Sequence, residues 1–408
     1  MLADGRSRLH SLSLDRFLDP LRSEDFLQSH WEKQPVFVRR GAPAYLSGLP
    51  DVETIDDLLA TTIRSEDDAR LVRAGVDRTV TQHPVPLDAH GLLDIQAVYR
   101  YYSMGYSVVV NRIHRKSSPV AQLCGALEAA LHHRVGANLY FTPRGRQGFL
   151  PHVDTHDVFI LQLTGSKDWR VASAQYELPL PSDKPRPPEK LSGCHEYSLK
   201  RGDLLYIPRG FPHEATTTAA SSSLHLTIGI HVFTWADFLE AAIGVLATEQ
   251  VGLRRALPIG FIDTSFEPGM ICELVDVLAS ALTSGVLTEQ AKQQLARRLI
   301  ARAKPGVSHQ FSSIDATADL DENSMIFRDP SALCLVRTSP TEAVIEFASN
   351  YVSGPLRLEA PLIFIAEHER FSVGELPGGL SDAEKIALVT RLVSEGLLGV
   401  SNTEEVGS

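Results

Sequence analysis

Residues 152–154, His152-Val153-Asp154, and residues 202–213, Gly202-Asp203-Leu204-Leu205-Tyr206-Ile207-Pro208-Arg209-Gly210-Phe211-Pro212-His213, decide how this chain is read. Together they offer two imidazoles and one carboxylate, the donor set that suits a non-haem iron(II) centre with coordination positions left open. Side chains of an extended segment alternate with a period of two, so His152 and Asp154 are expected on one face of a strand. His213, fifty-nine residues beyond Asp154, would close the triangle. Pro208 and Gly210 shape the turn in front of it, because proline fixes φ and glycine accepts backbone geometry closed to other residues. Zinc is the chemical rival, since it takes the same donors.

Outward from these segments, the chain from about Thr79 to Ile230 reads as short β-branched runs parted by Gly and Pro. Strands are expected at Ser107–Val110, Leu139–Thr142, Val158–Leu163, Trp169–Ala172, Leu204–Ile207 and Leu224–Ile230, with one amphipathic helix over Pro119–His132. Short strands with regular turn signals imply a barrel or sandwich. Before them, Leu14, Phe17, Leu18, Leu21, Phe26 and Leu27 have helical spacing and lead into a strand near Val36-Phe37-Val38. Pro181 to Glu189 is a proline-rich loop, either at a site mouth or simply on the surface.

After Thr234 the pattern turns helical, over Trp235–Gln250, Gly269–Ser284 and Thr288–Ala303, with apolar stripes wide enough to bury a second surface. Pro305-Gly306 breaks the last of these. Strands are then expected at Leu333–Arg337, Ala343–Phe347 and Leu356–Leu362, followed by the capping box Ser381-Asp382-Ala383-Glu384 opening a helix over Lys385–Glu395. The fold class is α+β, in three parts: residues 1–234 as the barrel with an N-terminal helical extension, 235–305 as a helical region, and 306–408 as a small module of winged-helix type.

A length of 408 residues suits two or three domains. Hydrophobic content of 43% with 22% charged residues is that of a globular protein, and the net charge of -11 opposes general binding to a nucleic-acid backbone. Residues 310–408 are rich in Glu and Asp, which opposes DNA binding by the tail as well. Cys124, Cys194, Cys272 and Cys334 form no CxxC pair, so neither a disulfide framework nor a zinc knuckle is expected and a reducing, cytoplasmic setting is the simplest reading. Met1 to Asp19 lacks an apolar signal core, and no stretch reaches the ~18 apolar residues of a spanning helix. No membrane partner is expected.

A lone HxD is weak evidence, since a buried His beside an Asp is commonly a structural pair. The second segment strengthens it by matching the cupin pattern G-x5-P-x-G-x2-H from Gly202 to His213. His156 would share the face of His152 and Asp154 if the strand ran straight, with Asp157 facing away. It reads as a pocket-lining residue, because three ligands suffice. His225 lies on the last strand with Thr227 and Gly229 on the same face, as a pocket residue or as a buried, hydrogen-bonded imidazole. An iron(II) centre of this type needs two electrons from a co-substrate, for which 2-oxoglutarate is a frequent source. Its distal carboxylate wants a cation, which Lys167, on the return after the first two ligands, can supply unless it is an ordinary turn lysine.

The runs Asn138-Leu139-Tyr140-Phe141-Thr142-Pro143, Gln147-Gly148-Phe149-Leu150-Pro151-His152-Val153-Asp154 and Leu161-Gln162-Leu163-Thr164-Gly165-Ser166-Lys167-Asp168-Trp169-Arg170-Val171 resemble the JmjC-domain ribosomal oxygenases. Gly202 to Gly210, Leu224-His225-Leu226-Thr227-Ile228 and Trp31-Glu32-Lys33-Gln34-Pro35 continue the likeness. The resemblance implies a double-stranded β-helix (cupin/JmjC) barrel, a helical dimerisation region making a homodimer, and a winged-helix-like C-terminal domain. It implies hydroxylation of a protein side chain with Fe(II), O2 and 2-oxoglutarate. Carried over position by position, His152, Asp154 and His213 match the iron ligands. Lys167 matches the residue that pairs with the distal carboxylate of 2-oxoglutarate, with Tyr140 and Thr227 helping to hold it. Asn138 aligns with a substrate-channel residue. Gly229 stands where the histidine-hydroxylating members carry a serine that contacts the target, and His156 maps to no family role, so arginine and histidine both stay open as the hydroxylated residue. A tailoring hydroxylase of a peptide precursor, or a non-catalytic dimeric cupin scaffold, are the alternatives.

Overall fold

The computed structural model describes residues 12–41, 44–75, 79–186, 188–283, 285–303 and 309–401. Pro187, Ser284 and the Pro305-Gly306 break lie outside them. The chain divides into two compact units, one ending at Val232 and the other beginning at Phe233.

Among the described residues, eleven strands build the first unit: β1 (Val36–Val38), β2 (Ala69–Ala74), β3 (Val80–Pro84), β4 (Ser107–Val110), β5 (Arg134–Thr142), β6 (Asp157–Thr164), β7 (Ser166–Val171), β8 (His195–Lys200), β9 (Leu204–Ile207), β10 (His213–Thr217) and β11 (Ser223–His231). Eight form one antiparallel sheet in the order β1-β9-β6-β11-β5-β4-β2-β3, and β10-β7-β8 form a second. The long strands follow from alternation. In β5, Val135, Ala137 and Leu139 are buried in the main apolar core, while the intervening residues face a cavity. In β6, Phe159 and Leu161 join that core, whereas Val158 and Ile160 pack with Trp169 and Val171 of β7. The two sheets thus meet face to face across a second, smaller core.

The N-terminal extension covers the outer face of the large sheet. Helices Leu14–Leu18 and Ser23–Ser29 bury Phe17, Leu18 and Phe26 completely. The Phe17 ring meets Phe159 edge-on at 5.2 Å and Phe26 meets Tyr206 at 4.9 Å, a favourable geometry for aromatic quadrupoles. Helix Ser118–Leu131, close to the expected Pro119–His132, packs beside β5 and ends on His132 in a left-handed conformation.

A buried charge cluster pins this extension to the turn that carries His213. Arg209 reaches Asp157 at 2.6 Å with one nitrogen and Glu32 at 2.5 Å with another. Its backbone N–H donates to the same Asp157 carboxylate at 3.0 Å, as does the Tyr206 hydroxyl at 3.1 Å, while the Glu32 N–H donates to the Tyr206 oxygen. Asp157 does face away from the cavity, as alternation implies, and it is wholly inaccessible.

In the second unit, helices Trp235–Glu249, Pro268–Thr283 and Val286–Ile300 enclose a small core of Ala241, Ala242, Leu246, Leu287 and Ala291. Thr234 and Asp237 cap the first of them reciprocally. Two three-stranded sheets follow among the described residues. They are β12 (Met325–Arg328) between β16 (Arg370–Ser372) and β17 (Leu398–Val400), and β13 (Cys334–Thr338), β14 (Glu342–Phe347) and β15 (Asn350–Pro355). The Ser381/Glu384 box opens helix Asp382–Ser394 as its sequence implies. Leu356–Leu362, expected as a strand, is instead a 3-10 turn running into helix Glu359–Glu367. Pro355 closes β15, an acidic residue stands at the N-terminus of the helix, and Pro361 sits in the first turn, where its missing N–H costs nothing. The four cysteines form no disulfide. Among the described residues no single helix is long and apolar enough to cross a membrane.

Removing one partner of a buried ion pair strands the other charge, at a cost of about 3–5 kcal/mol. Asp157→Asn is therefore expected to lower stability by about that amount, read by urea unfolding. Because the turn 208–213 loses its anchor, the same variant should also weaken metal binding although Asp157 touches no ligand position.

Candidate active site

The HxD segment is not a regular strand. His152 makes an isolated bridge with His213, and β6 begins only at Asp157. Pro151 has no N–H to offer a ladder, and the Asp154 carbonyl is taken by the Gly210 N–H at 3.0 Å, so the segment is bonded to the turn rather than to a sheet. The donors converge nonetheless. The His152 N–H donates to the His213 carbonyl at 3.0 Å and the His213 N–H to the His152 carbonyl at 2.9 Å, setting the imidazole centroids 4.3 Å apart. One donor atom each from His152, Asp154 and His213 lies within 4.8 Å of the others.

The turn before His213 depends on Gly210, whose φ is +88°, where a Cβ would stand 1.8 Å from the Tyr176 carbonyl oxygen. Each histidine is held by its distal nitrogen. Nδ1 of His152 donates to the Leu150 carbonyl at 3.0 Å and Nδ1 of His213 to that of Phe211 at 2.9 Å, which leaves both Nε2 lone pairs toward the shared point. Burial, then His152, pushes the pKa of His213 down to about 4, so its imidazole is neutral at pH 7. Against the pull of burial, His213 and His152 hold Asp154 below the usual carboxylate range. A neutral His213 imidazole and an ionised Asp154 carboxylate are protonation states that a divalent cation needs.

These groups open on a cavity of about 430 Å³ between the two sheets. Every second residue of β11 lines it, namely His225, Thr227, Gly229 and His231, as do Gly136, Asn138, Tyr140 and Thr142 of β5. Thr227 lies opposite Asn138 in register and His225 opposite Tyr140. All the residues singled out in the sequence thus share one space, His156 included.

Lys167, on β7, is 5% exposed, and burial lowers its pKa to about 7. Its ammonium lies 3.4 Å from Thr142 Oγ1 and 5.8 Å from the centre of the Trp169 ring. Trp169 Nε1 and His225 Nδ1 are buried without a hydrogen-bond partner. A cation and unsatisfied polar nitrogens inside one cavity fit an anionic ligand, because each is expensive to leave unmet. The His225 ring stacks on Tyr140 at 4.9 Å, and burial keeps the Tyr140 phenol protonated, with Arg70 and Asn138 as its polar neighbours.

Arg70, Arg112, His114, Trp169 and His231 also line the cavity. Sequence reading missed them as site residues. His231 was recoverable by extending the β11 alternation two residues beyond Gly229, whereas Arg70 and His114 come from neighbouring segments that only strand order brings near.

Residues 109–238 match the JmjC domain family. The chain is 34% identical over 267 residues to "Ribosomal oxygenase 1" of Gallus gallus, covering 62% of this chain and 43% of that protein. It is 32% identical over 256 residues to "Bifunctional lysine-specific demethylase and histidyl-hydroxylase NO66" of Drosophila persimilis, covering 60% and 36%. The chain therefore spans less than half the length of these curated relatives. In fold it is similar to E. coli YcfD, with a TM-score of 0.61 at 19% identity over 93% of this chain and 98% of that one. A structure of YcfD, named a ribosomal oxygenase, in complex with cobalt and 2-oxoglutarate superposes with a TM-score of 0.57 at 19% identity, covering 94% and 99%.

Losing a hydrogen bond that supports a metal ligand costs 10–100-fold in affinity, and losing a ligand costs more. In anaerobic Co(II) titrations followed by visible absorption, His213→Ala is expected to lose over ~100-fold in affinity. Gly210→Ala should lose affinity too, although it contributes no donor.

Proposed function

We propose that this chain is an Fe(II)- and 2-oxoglutarate-dependent oxygenase that hydroxylates an arginine or histidine side chain of a protein, most simply a ribosomal protein. The observation that carries the reading is the convergence of His152, Asp154 and His213 donors on the cavity that also holds the buried Lys167. The named relatives support the oxygenase class. The reaction would consume substrate C–H, 2-oxoglutarate and O2 and yield substrate C–OH, succinate and CO2.

In this reading His152, Asp154 and His213 hold the iron, which supplies O2 activation when bound. Lys167 holds the distal carboxylate of 2-oxoglutarate, with Thr227 and Tyr140 beside it. Each lowers the freedom of the co-substrate, so that one end faces the metal while the other is locked in the barrel. Trp169 and the apolar Val158 and Ile160 keep water from the inner cavity. Asn138, in the middle of the β5 face, and Gly229 border the path of the target side chain. An idle scaffold is disfavoured by the buried lysine, whose desolvation has no structural return unless an anion arrives.

The helical segment 235–305 is read as a dimerisation region and 306–408 as a winged-helix-like module. Helix Pro268–Thr283 buries none of its residues fully, and Met270, Ile271 and Val275 are 48%, 44% and 56% exposed. A face of that kind calls for cover.

Three outcomes test this reading. Anaerobic Fe(II) with 2-oxoglutarate should give a weak metal-to-ligand charge-transfer band that is lost in His213→Ala and requires at least ~10-fold more 2-oxoglutarate in Lys167→Ala, as for a lost charge-assisted bond. The absence of a band in folded wild-type protein would overturn it. Because the free lysine titrates near 7 and the bound one must be charged, co-substrate binding takes up a proton: affinity is greatest below pH 7 and falls as pH rises above it. Calorimetry in buffers of different ionisation enthalpy should show this uptake in wild type and none in Lys167→Ala. Finally, light scattering should show a dimer that Ile271→Asp with Val275→Asp converts to monomer.

A further inference from the structure

Gly136 of β5 and Gly229 of β11 lie opposite each other in register, and both border the cavity. Each is covered by an imidazole from another segment. A Cβ on Gly229 would stand 2.7 Å from His156 Cδ2 and 2.9 Å from its Nε2, and one on Gly136 would stand 3.1 Å from His114 Cε1. Separations under 3.0 Å are not sustained between carbon atoms, so the His156 ring occupies the space that any side chain at 229 would need. His231, two residues beyond Gly229 on the same face, stacks on His156 with centroids 4.9 Å apart and planes 19° from parallel. The outer cavity is therefore walled by rings laid on a bare pair of glycines.

The charges around that wall have one sign. Arg70 and Arg112 line the cavity with Lys167, and the one carboxylate among the described lining residues is Asp154, which faces His152 and His213. His114 and His231 add little charge of their own. Nδ1 of His114 accepts the Ala137 N–H at 2.9 Å, which a doubly protonated ring could not do. Removal of the His231 ring from water, then His156 and Arg134, lower its pKa to about 4, although the residue is exposed at the mouth. A guanidinium entering here would meet two arginines and no free carboxylate, whereas a neutral ring can stack on His156 and accept a hydrogen bond from an arginine.

We propose that His156, seated on the Gly136–Gly229 pair and stacked on His231, is the specificity-determining residue of this site, and that it admits an uncharged planar side chain, an imidazole, in preference to a guanidinium. The inference rests on the oxygenase reading above. It departs from any role for Gly229 as a contact in its own right: the glycine acts by making room.

The test uses two peptide pools with random flanks and a fixed central His or Arg. Capture of each pool on immobilised, metal-free protein, counted by mass spectrometry, reports binding without catalysis. Mass gain of one oxygen on the central residue, with Fe(II) and 2-oxoglutarate present, reports turnover. Wild-type protein is expected to favour the His pool at least tenfold in both. His156→Ala should collapse that ratio, Gly229→Ala should do so by displacing the ring, and His156→Phe, which restores a stacking ring, should recover most of it. The ratio is internal to each variant, so partial loss of folded protein does not mimic the effect. Equal or greater use of the Arg pool by wild type, or a ratio unchanged in both His156→Ala and Gly229→Ala, overturns this inference while the oxygenase stands. No consumption of 2-oxoglutarate by wild type under any condition overturns the oxygenase reading and this inference with it.

Discussion

Two backbone hydrogen bonds exchanged between His152 and His213 govern the site. They tie a loop that belongs to no sheet to the first residue of β10, and so fix the separation of two imidazoles before any ion is present. Holding them there is unfavourable in isolation. Two imidazoles and a carboxylate face one another across a short gap, and burial, then His152, drives the pKa of His213 down to about 4. The surrounding structure must impose the arrangement. Gly210 shapes the turn, Asp157 and Glu32 hold Arg209 at its centre, and the helices of the N-terminal extension cover Tyr206 and Phe159. This is why Trp31-Glu32-Lys33-Gln34-Pro35, far from the cavity in sequence, belongs to the same device as the HxD pair. A metal that satisfies the inward lone pairs would return part of the energy spent on arranging them, which couples its binding to folding.

The donors could be read from the sequence because each depends on local rules. Gly202, Pro208 and Gly210 announce a turn whatever surrounds them, and β6 and β11 carry enough β-branched and leucine residues to declare themselves. The strand assumed for His152-Val153-Asp154 failed for a reason that local rules omit. Its hydrogen bonds go to Gly210 and His213, partners some sixty residues away. Strands such as Ala69–Ala74, His195–Lys200 and His213–Thr217 carry charged or threonine-rich sequences and owe their form to neighbours. The error at Leu356–Leu362 is of the opposite kind: an apolar run serves a strand or a buried helix equally, and only the positions of Pro355, Glu359 and Pro361 separate the two.

Charge within the cavity runs against charge on the whole chain. The protein is -11 overall, yet the described residues that line the cavity include Lys167, Arg70 and Arg112 against the single carboxylate Asp154. A positive interior within an acidic shell concentrates small anions at the inner end, where Lys167 is least hydrated and its field least screened. The same field works on whatever side chain follows. Arg70 already has Asn111 as a partner, and Arg112 adopts a left-handed conformation with its N–H on the Asn138 side-chain oxygen at 2.8 Å. Arg112 is thus tied to the cavity wall through Asn138.

Gly229 and His156 illustrate why a position is best interpreted with the volume it releases. Considered alone, a glycine in place of a side chain reads as a lost contact. In the folded chain the missing Cβ is filled by an imidazole from a loop 73 residues earlier, with another histidine stacked behind it. The surface at this point of the cavity is supplied by the HxD loop rather than by β11. Because that loop also carries Asp154, the wall proposed to meet the target and a donor proposed to meet the metal share one short stretch of backbone. In that reading, a separation of two residues along the chain would link recognition to chemistry by covalent geometry, without a longer path through the barrel.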